Sequence, residues 1–198
     1  SWIKGKRLGR FLRSASLFED CCKVIFTTNI NWSGTERMVA SAVSCFGEQI
    51  YEGKAFPVPQ RLIEAGEVTL RKTLKCGFRA RYVLELCQVA LKYPTIFLGQ
   101  EWQQLGSNEF REKICSILGI GPVSAAYLGR MYHRPDGFAV DSYVMRRCSD
   151  LWGVPPGEIE KFVVERYAHF ANSAPLAFWL EITKHWHKKS PTDSGGEW

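Results

Sequence analysis

The 198-residue sequence has no apolar run long enough to cross a bilayer, and no leader pattern opens it. A membrane-embedded or membrane-anchored protein is not expected. An intracellular one is, in the cytoplasm or nucleoid of a prokaryote or the nucleus of a eukaryote. The chain also lacks a disulfide framework. Its seven cysteines are odd in number and irregular in spacing, with Cys21 and Cys22 adjacent and none beyond Cys148. That pattern argues against a stapled secreted domain and for reduced thiols inside a core. It also leaves no C-terminal four-cysteine cluster for an iron–sulfur centre. The four histidines, His133, His169, His185 and His187, have no metal-ligand spacing. His185 and His187, two apart, fall on different faces of a helix. No zinc, no iron–sulfur cluster and no organic cofactor are expected. Alternating apolar and polar residues, internal repeats and low-complexity tracts are absent as well, so nothing demands a strand or a solenoid.

Acid is missing from two stretches. Residues 1–13 carry Lys4, Lys6, Arg7, Arg10 and Arg13, and residues 71–82 carry Arg71, Lys72, Lys75, Arg79 and Arg81. Each reads either as a solvated face or as a phosphate-facing patch. With 26 Lys plus Arg against 20 Asp plus Glu, the formal charge is +6, which fits an anionic partner without requiring one. Hydrophobic residues at 45% and aromatics at 13% are enough to bury a core in one domain or in two lobes.

Helical periodicity fills most of the rest. Leu17, Cys21, Val24 and Ile25 share a face behind a Ser16 cap. Apolar residues recur at 38, 39, 42, 43 and 46 before Gly47. "FPVPQRLIEAG" and "GEVTLRKTLKCG" read as two short helices, and "FRARYVLELCQVALKY" as a longer one. "NEFREKICSILG" reads as a helix capped by Asn108. Four more segments follow, beginning "PVSAAYL", "SYVMRRC", "PGEIEKF" and "PLAFWLE". The expected class is all-α. The tail at 191–198 is polar and expected to be loose.

The most informative stretch is "LGIGPVSAAYLGRMYHRPDGFAVDSYVMRR", 118–147. Gly119 and Gly121 permit a tight turn and close approach of another group, Ile120 can plug the joint, and Pro122 suits a first helical turn. Exposed N–H groups there suit a phosphate oxygen, and the turn carbonyls suit a monovalent cation bridging to one. Taken alone, such a turn reads first as packing glycines. Asp141, just before a helix, reads first as an N-cap.

Together these residues resemble the helix-hairpin-helix (HhH-GPD) DNA glycosylases, the superfamily of endonuclease III, 8-oxoguanine glycosylases and alkyladenine glycosylases. The hairpin, the Gly/Pro-containing loop and the "VDSYVMR" setting of Asp141 carry the likeness, and "FEDCCKVIFTTNINWSGTERMVASAVSCFG" and "GFRARYVLELC" extend it over about residues 7–187. The resemblance implies two helical lobes with a DNA and base cleft between them. One lobe spans about 14–29 plus 136–190, the other about 30–135, with the hairpin at 108–132. It implies base excision repair: a flipped damaged base in double-stranded DNA, with Asp141 as the catalytic carboxylate. Gly119, Ile120, Gly121 and Val123 would meet the DNA backbone. Asn29 would enter the gap, Phe78 would wedge the stack, and Arg79 would contact the orphaned base. Residue chemistry alone leaves Asn29 equally a turn residue, Phe78 a core aromatic, and Arg79 and Arg81 water-facing. If the orphan is cytosine, the lesion is a modified guanine. Trp32, Tyr127, Tyr143, Phe178 and Trp179 are candidates for the base pocket, though helical aromatics are more often core.

Two departures matter. Family members that also cut the strand carry a lysine two residues after the second hairpin glycine, and here Val123 stands there. Valine cannot form a Schiff base. A monomeric, monofunctional glycosylase using water is therefore expected. The alternatives are a glycosylase/lyase with a displaced amine and a non-enzymatic DNA-binding module. The 8-oxoguanine members also carry an N-terminal β-rich domain, and this chain begins near where that domain would end.

Overall fold

The computed structural model describes residues 8–134 and 137–187; Lys4, Lys6 and Arg7 of the basic block and the tail at 191–198 lie outside them. The class is all-α. The helices are α1 (Leu17–Thr27), α2 (Trp32–Phe46), α3 (Pro59–Leu74), α4 (Arg79–Lys92), α5 (Pro94–Phe97), α6 (Ser107–Cys115), α7 (Pro122–Met131), α8 (Ser142–Trp152), α9 (Ile159–Tyr167) and α10 (Ala174–Ile182). Short 3-10 turns occupy Glu101–Gln104, Pro156–Glu158, Ala168–Ser173 and Lys184–His187. One small hairpin was not anticipated: β1 (Gln49–Ile50) pairs antiparallel with β2 (Gly53–Lys54), Gln49 opposite Lys54. Two residues per strand are too few for alternation to show in the sequence.

Local chemistry sets most boundaries. The Ser16 hydroxyl accepts from Glu19 N at 3.2 Å and starts α1. Asn31 does the same for α2, its side-chain oxygen accepting from Gly34 N at 2.9 Å. Pro59 opens α3, which breaks at Gly66 (φ 72°, ψ 165°), so the two short helices expected there are two arms of one kinked element. The expected Asn108 cap is displaced. The Gly106 carbonyl already accepts from Phe110 N at 2.9 Å, so α6 starts at Ser107 and Asn108 lies inside it.

The chain divides into two compact units, Arg13–Gly121 and Ser1–Leu12 with Pro122–Trp198. This differs from the expected division. Helix α1 packs on α4 and α2, so it belongs with the first unit rather than with the C-terminal helices, and the boundary falls inside the hairpin. Leu17, Cys21 and Ile25 of α1 and Val83, Leu86 and Cys87 of α4 supply buried core residues there. In the other unit Val144 and Cys148 of α8, Ile159 and Val163 of α9, and Phe178 and Ile182 of α10 form one cluster. All seven cysteines are free, and Cys21, Cys22, Cys76, Cys87 and Cys148 are buried. Burial pushes the Cys87 thiol up to about 12 and that of Cys148 to about 11, so they act as small apolar residues.

Candidate functional site

In the unit that contains α7–α10, Asp141 caps α8. Its Oδ1 accepts from Val144 N at 2.8 Å, and its Oδ2 accepts from the Tyr127 hydroxyl at 2.8 Å. One oxygen is thus held by a helix N-terminus and the other by a phenol on α7. Burial first, then the Asp141 charge, pushes the Tyr127 hydroxyl far up, so it stays protonated and donates. The carboxylate can stabilise a cation or orient a water while its position stays fixed.

Aromatic rings surround this pair. Tyr127 meets Trp179 edge to face at 5.7 Å, and Trp179 meets Trp186 at 5.7 Å. Tyr143 stacks on Trp186 at 5.6 Å, and its hydroxyl lies 3.5 Å from His185 Nε2. Trp186 is 40% exposed at the edge of this group. Beneath it Arg130 is buried. Its guanidinium carbon sits 4.5 Å from the Trp179 ring, 5.1 Å from Tyr127 and 5.7 Å from Phe11. Burial draws Arg130 down to about 10, which keeps it charged at neutral pH.

Of the sequence-derived pocket residues, Tyr127 and Tyr143 do gather at Asp141, and Trp179 joins them. Phe178 does not. It is 1% exposed and packs at 5.4 Å from both Phe138 and Tyr167, inside the α8–α10 cluster. Trp32 belongs to the other unit, 53% exposed at the start of α2. Val123 is half-buried near the start of α7 and brings no amine. Arg130, Phe11 and Trp186 were missed. Arg130 could have been found as the one charged residue of α7, three positions from Tyr127 and so on its face.

The Arg13–Gly121 unit carries a second cluster. Thr28, Asn29, Phe78, Tyr82 and Glu85 face Cys115–Gly121 across an open depression of about 640 Å³. Asn29 is exposed with φ 48°, a left-handed conformation that asparagine tolerates, and Phe78 is 43% exposed beside it. The hairpin is built against Tyr82. Gly119 has φ 89°, and a Cβ there would lie 2.3 Å from the Tyr82 ring, so only glycine fits. Gly121 needs no such freedom: no positive φ occurs, and open space lies where a side chain would be. Ile120 is 3% exposed and plugs the turn, as expected.

Arg79 departs from the expected base reader. It is 5% exposed, and its guanidinium donates through Nε (3.0 Å) and Nη2 to the Thr28 carbonyl and through Nη1 to that of Cys76 at 3.3 Å. It also lies 4.6 Å from the Phe78 ring. Arg79 therefore ties the residue before Asn29 to the loop that presents Phe78. Arg79→Ala should cost about 2–3 kcal/mol by stranding two carbonyls, read as a lowered midpoint in chemical denaturation. A variant that melts like wild type but loses only DNA affinity would return Arg79 to base contact.

A helical chain with a buried-plug glycine turn between α6 and α7, followed by a carboxylate capping α8, defines a helix-hairpin-helix protein. The family model for the HhH-GPD superfamily base excision DNA repair protein matches residues 22–168, and the chain belongs to that superfamily. No curated protein matches it significantly. Among solved structures, MBOgg1 in complex with a low-affinity DNA ligand aligns with a TM-score of 0.70 and 22% identity, over 87% of this chain and 61% of that one. The Clostridium acetobutylicum 8-oxoguanine glycosylase/lyase bound to double-stranded DNA with cytosine opposite 8-oxoguanine aligns at 0.69 and 22%, over 91% and 63%. The 3-methyladenine DNA glycosylase from Archaeoglobus fulgidus aligns at 0.69 and 25%, over 94% and 65%. The chain spans about three fifths of the length of these proteins. Among the described residues no helix is long and apolar enough to cross a membrane, and no three His, Cys, Asp or Glu side chains converge as a metal site would need.

Proposed function

We propose that this chain is a monofunctional DNA glycosylase of base excision repair, acting on a damaged purine flipped from double-stranded DNA. The observation that carries the reading is the Asp141 carboxylate, fixed between Val144 N and the Tyr127 hydroxyl, in a chain with valine at position 123. Cleavage of C1′–N9 sends the bonding pair to the base and leaves positive charge on C1′ and O4′ of the sugar. Asp141 stabilises that charge, and a water it orients adds to C1′. The water's proton leaves toward the carboxylate or solvent, and an abasic site remains. Asn29 and Phe78 fill and wedge the gap left by the flipped base. The turn at Gly119–Gly121 with Val123 meets phosphate through backbone groups, and a monovalent cation bridging turn carbonyls to phosphate is part of the same reading. Tyr143, Trp179 and Trp186 offer stacking surfaces to the base. No organic cofactor enters the chemistry.

The test is base release from a panel of duplexes with oxidised, alkylated and mismatched bases, with borohydride trapping on the same DNA. The expected result is free base, a strand that breaks only on alkali, and no strong covalent adduct. An efficiently trapped adduct would replace this mechanism with a displaced amine. Tight binding with no base released from any duplex would leave a DNA-binding module.

A further inference from the structure

We propose that Arg130 discriminates leaving groups by their charge, its field favouring release of neutral purine lesions over cationic N-alkylpurines; this rests on the glycosylase reading above. Two buried arginines make the comparison. Arg79 spends its guanidinium on two carbonyls. Arg130, 7% exposed, has no acceptor for Nε or Nη1 and no ion pair among the described residues. Its guanidinium lies against the rings of Phe11, Tyr127 and Trp179. Three aromatic faces hold the cation and the Asp141 charge favours it, yet among the described residues neither Nε nor Nη1 finds an acceptor. Unpaired buried polar groups need an explanation, and they concentrate at working sites.

The place of the charge supplies one. Arg130 contacts the ring of Tyr127, and the hydroxyl of that same residue holds Asp141. A cation and an anion therefore flank one phenol. Heterolysis of C1′–N9 makes the complementary pair: the sugar becomes cationic and a neutral purine departs as an anion, later taking a proton from water. Asp141 answers the first charge and the field of Arg130 the second, in surroundings where charges are weakly screened. A cationic N-alkylpurine enters against that field and departs neutral, so it gains nothing from Arg130. The substrate class that follows is a neutral oxidised or deaminated purine.

The experiment is single-turnover release by wild type, Arg130→Met and Arg130→Lys from duplexes carrying 8-oxoguanine or hypoxanthine (neutral) and 7-methylguanine (cationic). The methionine variant should slow neutral-base release about a hundredfold, with duplex affinity held and 7-methylguanine release changed less than about threefold or raised. Arg130→Lys should recover most of the neutral-base rate. Equal slowing on both kinds of leaving group, a loss confined to affinity, or a lysine variant no better than methionine would make Arg130 a packing residue. If Arg130→Met does not fold, Arg130→Gln against Arg130→Lys reads the same contrast. Wild type that releases 7-methylguanine alone overturns this proposal and leaves the glycosylase reading standing. Wild type that releases no base overturns both, before any variant is made.

Discussion

Asp141→Asn should lower base release about a thousandfold while the protein melts where the wild type does. Asparagine and aspartate cap helices about equally well. The amide oxygen can still accept from Val144 N, now at 2.8 Å from Oδ1, and the amide group remains within reach of the Tyr127 hydroxyl. The stability change should stay below about 0.5 kcal/mol. What disappears is the negative charge beside the developing sugar cation, and a single fixed group of this kind is worth about 10²–10³ in rate, with water orientation adding to it. Asp141→Ala removes charge and cap together and should also cost about 1 kcal/mol of stability. The pair of variants separates chemistry from architecture: denaturation midpoints report the cap, single-turnover release reports the charge. An asparagine variant as active as wild type would reduce Asp141 to a cap.

The parts of this molecule that a sequence could reveal are those governed by near neighbours. Ser16, Pro59 and Gly119 act within a few residues of their own position, and the structure finds them capping, opening and turning as their chemistry suggests. Gly121 looked like the twin of Gly119, yet only Gly119 is crowded, because the crowding comes from Tyr82 on a helix far earlier in the chain. Arg79 fails for the same reason. Its acceptor at Thr28 lies 51 residues away, and nothing in "CGFRARY" says which arginine turns inward and which meets water. Arg81 is the one that faces out, paired at 3.2 Å with Glu85. Likewise, the membership of α1 in the first unit depends on its packing against α4, and periodicity shows only that α1 has an apolar face. Asp141 was legible as a helix cap, because a carboxylate just before an apolar-periodic segment acts on its nearest N–H groups. Arg130 was not, because a lone charge in an apolar helix acquires meaning only when, among the described residues, its Nε and Nη1 prove to have no acceptor.

Phe178 and Tyr127 looked alike as pocket aromatics, and they should behave oppositely when altered. Helix α10 reads APLAFWLEI, apolar on nearly every side, so its sequence has no polar face to say which way each ring points. In the fold Phe178 lies between Phe138 and Tyr167 at 5.4 Å from each, 1% exposed. Phe178→Ala opens a cavity in the α8–α10 cluster and should cost about 3–5 kcal/mol. At a temperature where that variant is still folded, its release rate per folded molecule should match wild type. Tyr127→Phe keeps the ring against Trp179 and Arg130 and removes only the hydroxyl at 2.8 Å from Asp141. Its stability should fall by about 1 kcal/mol. Its base release should fall about tenfold, because one carboxylate oxygen loses the donor that aims it and a tenfold rate corresponds to about 1.4 kcal/mol. Urea midpoints and single-turnover rates on one lesion duplex check both. The opposite pattern, a Phe178→Ala protein that is stable but slow or a Tyr127→Phe protein that is fully active, would move the base pocket to the other side of α10.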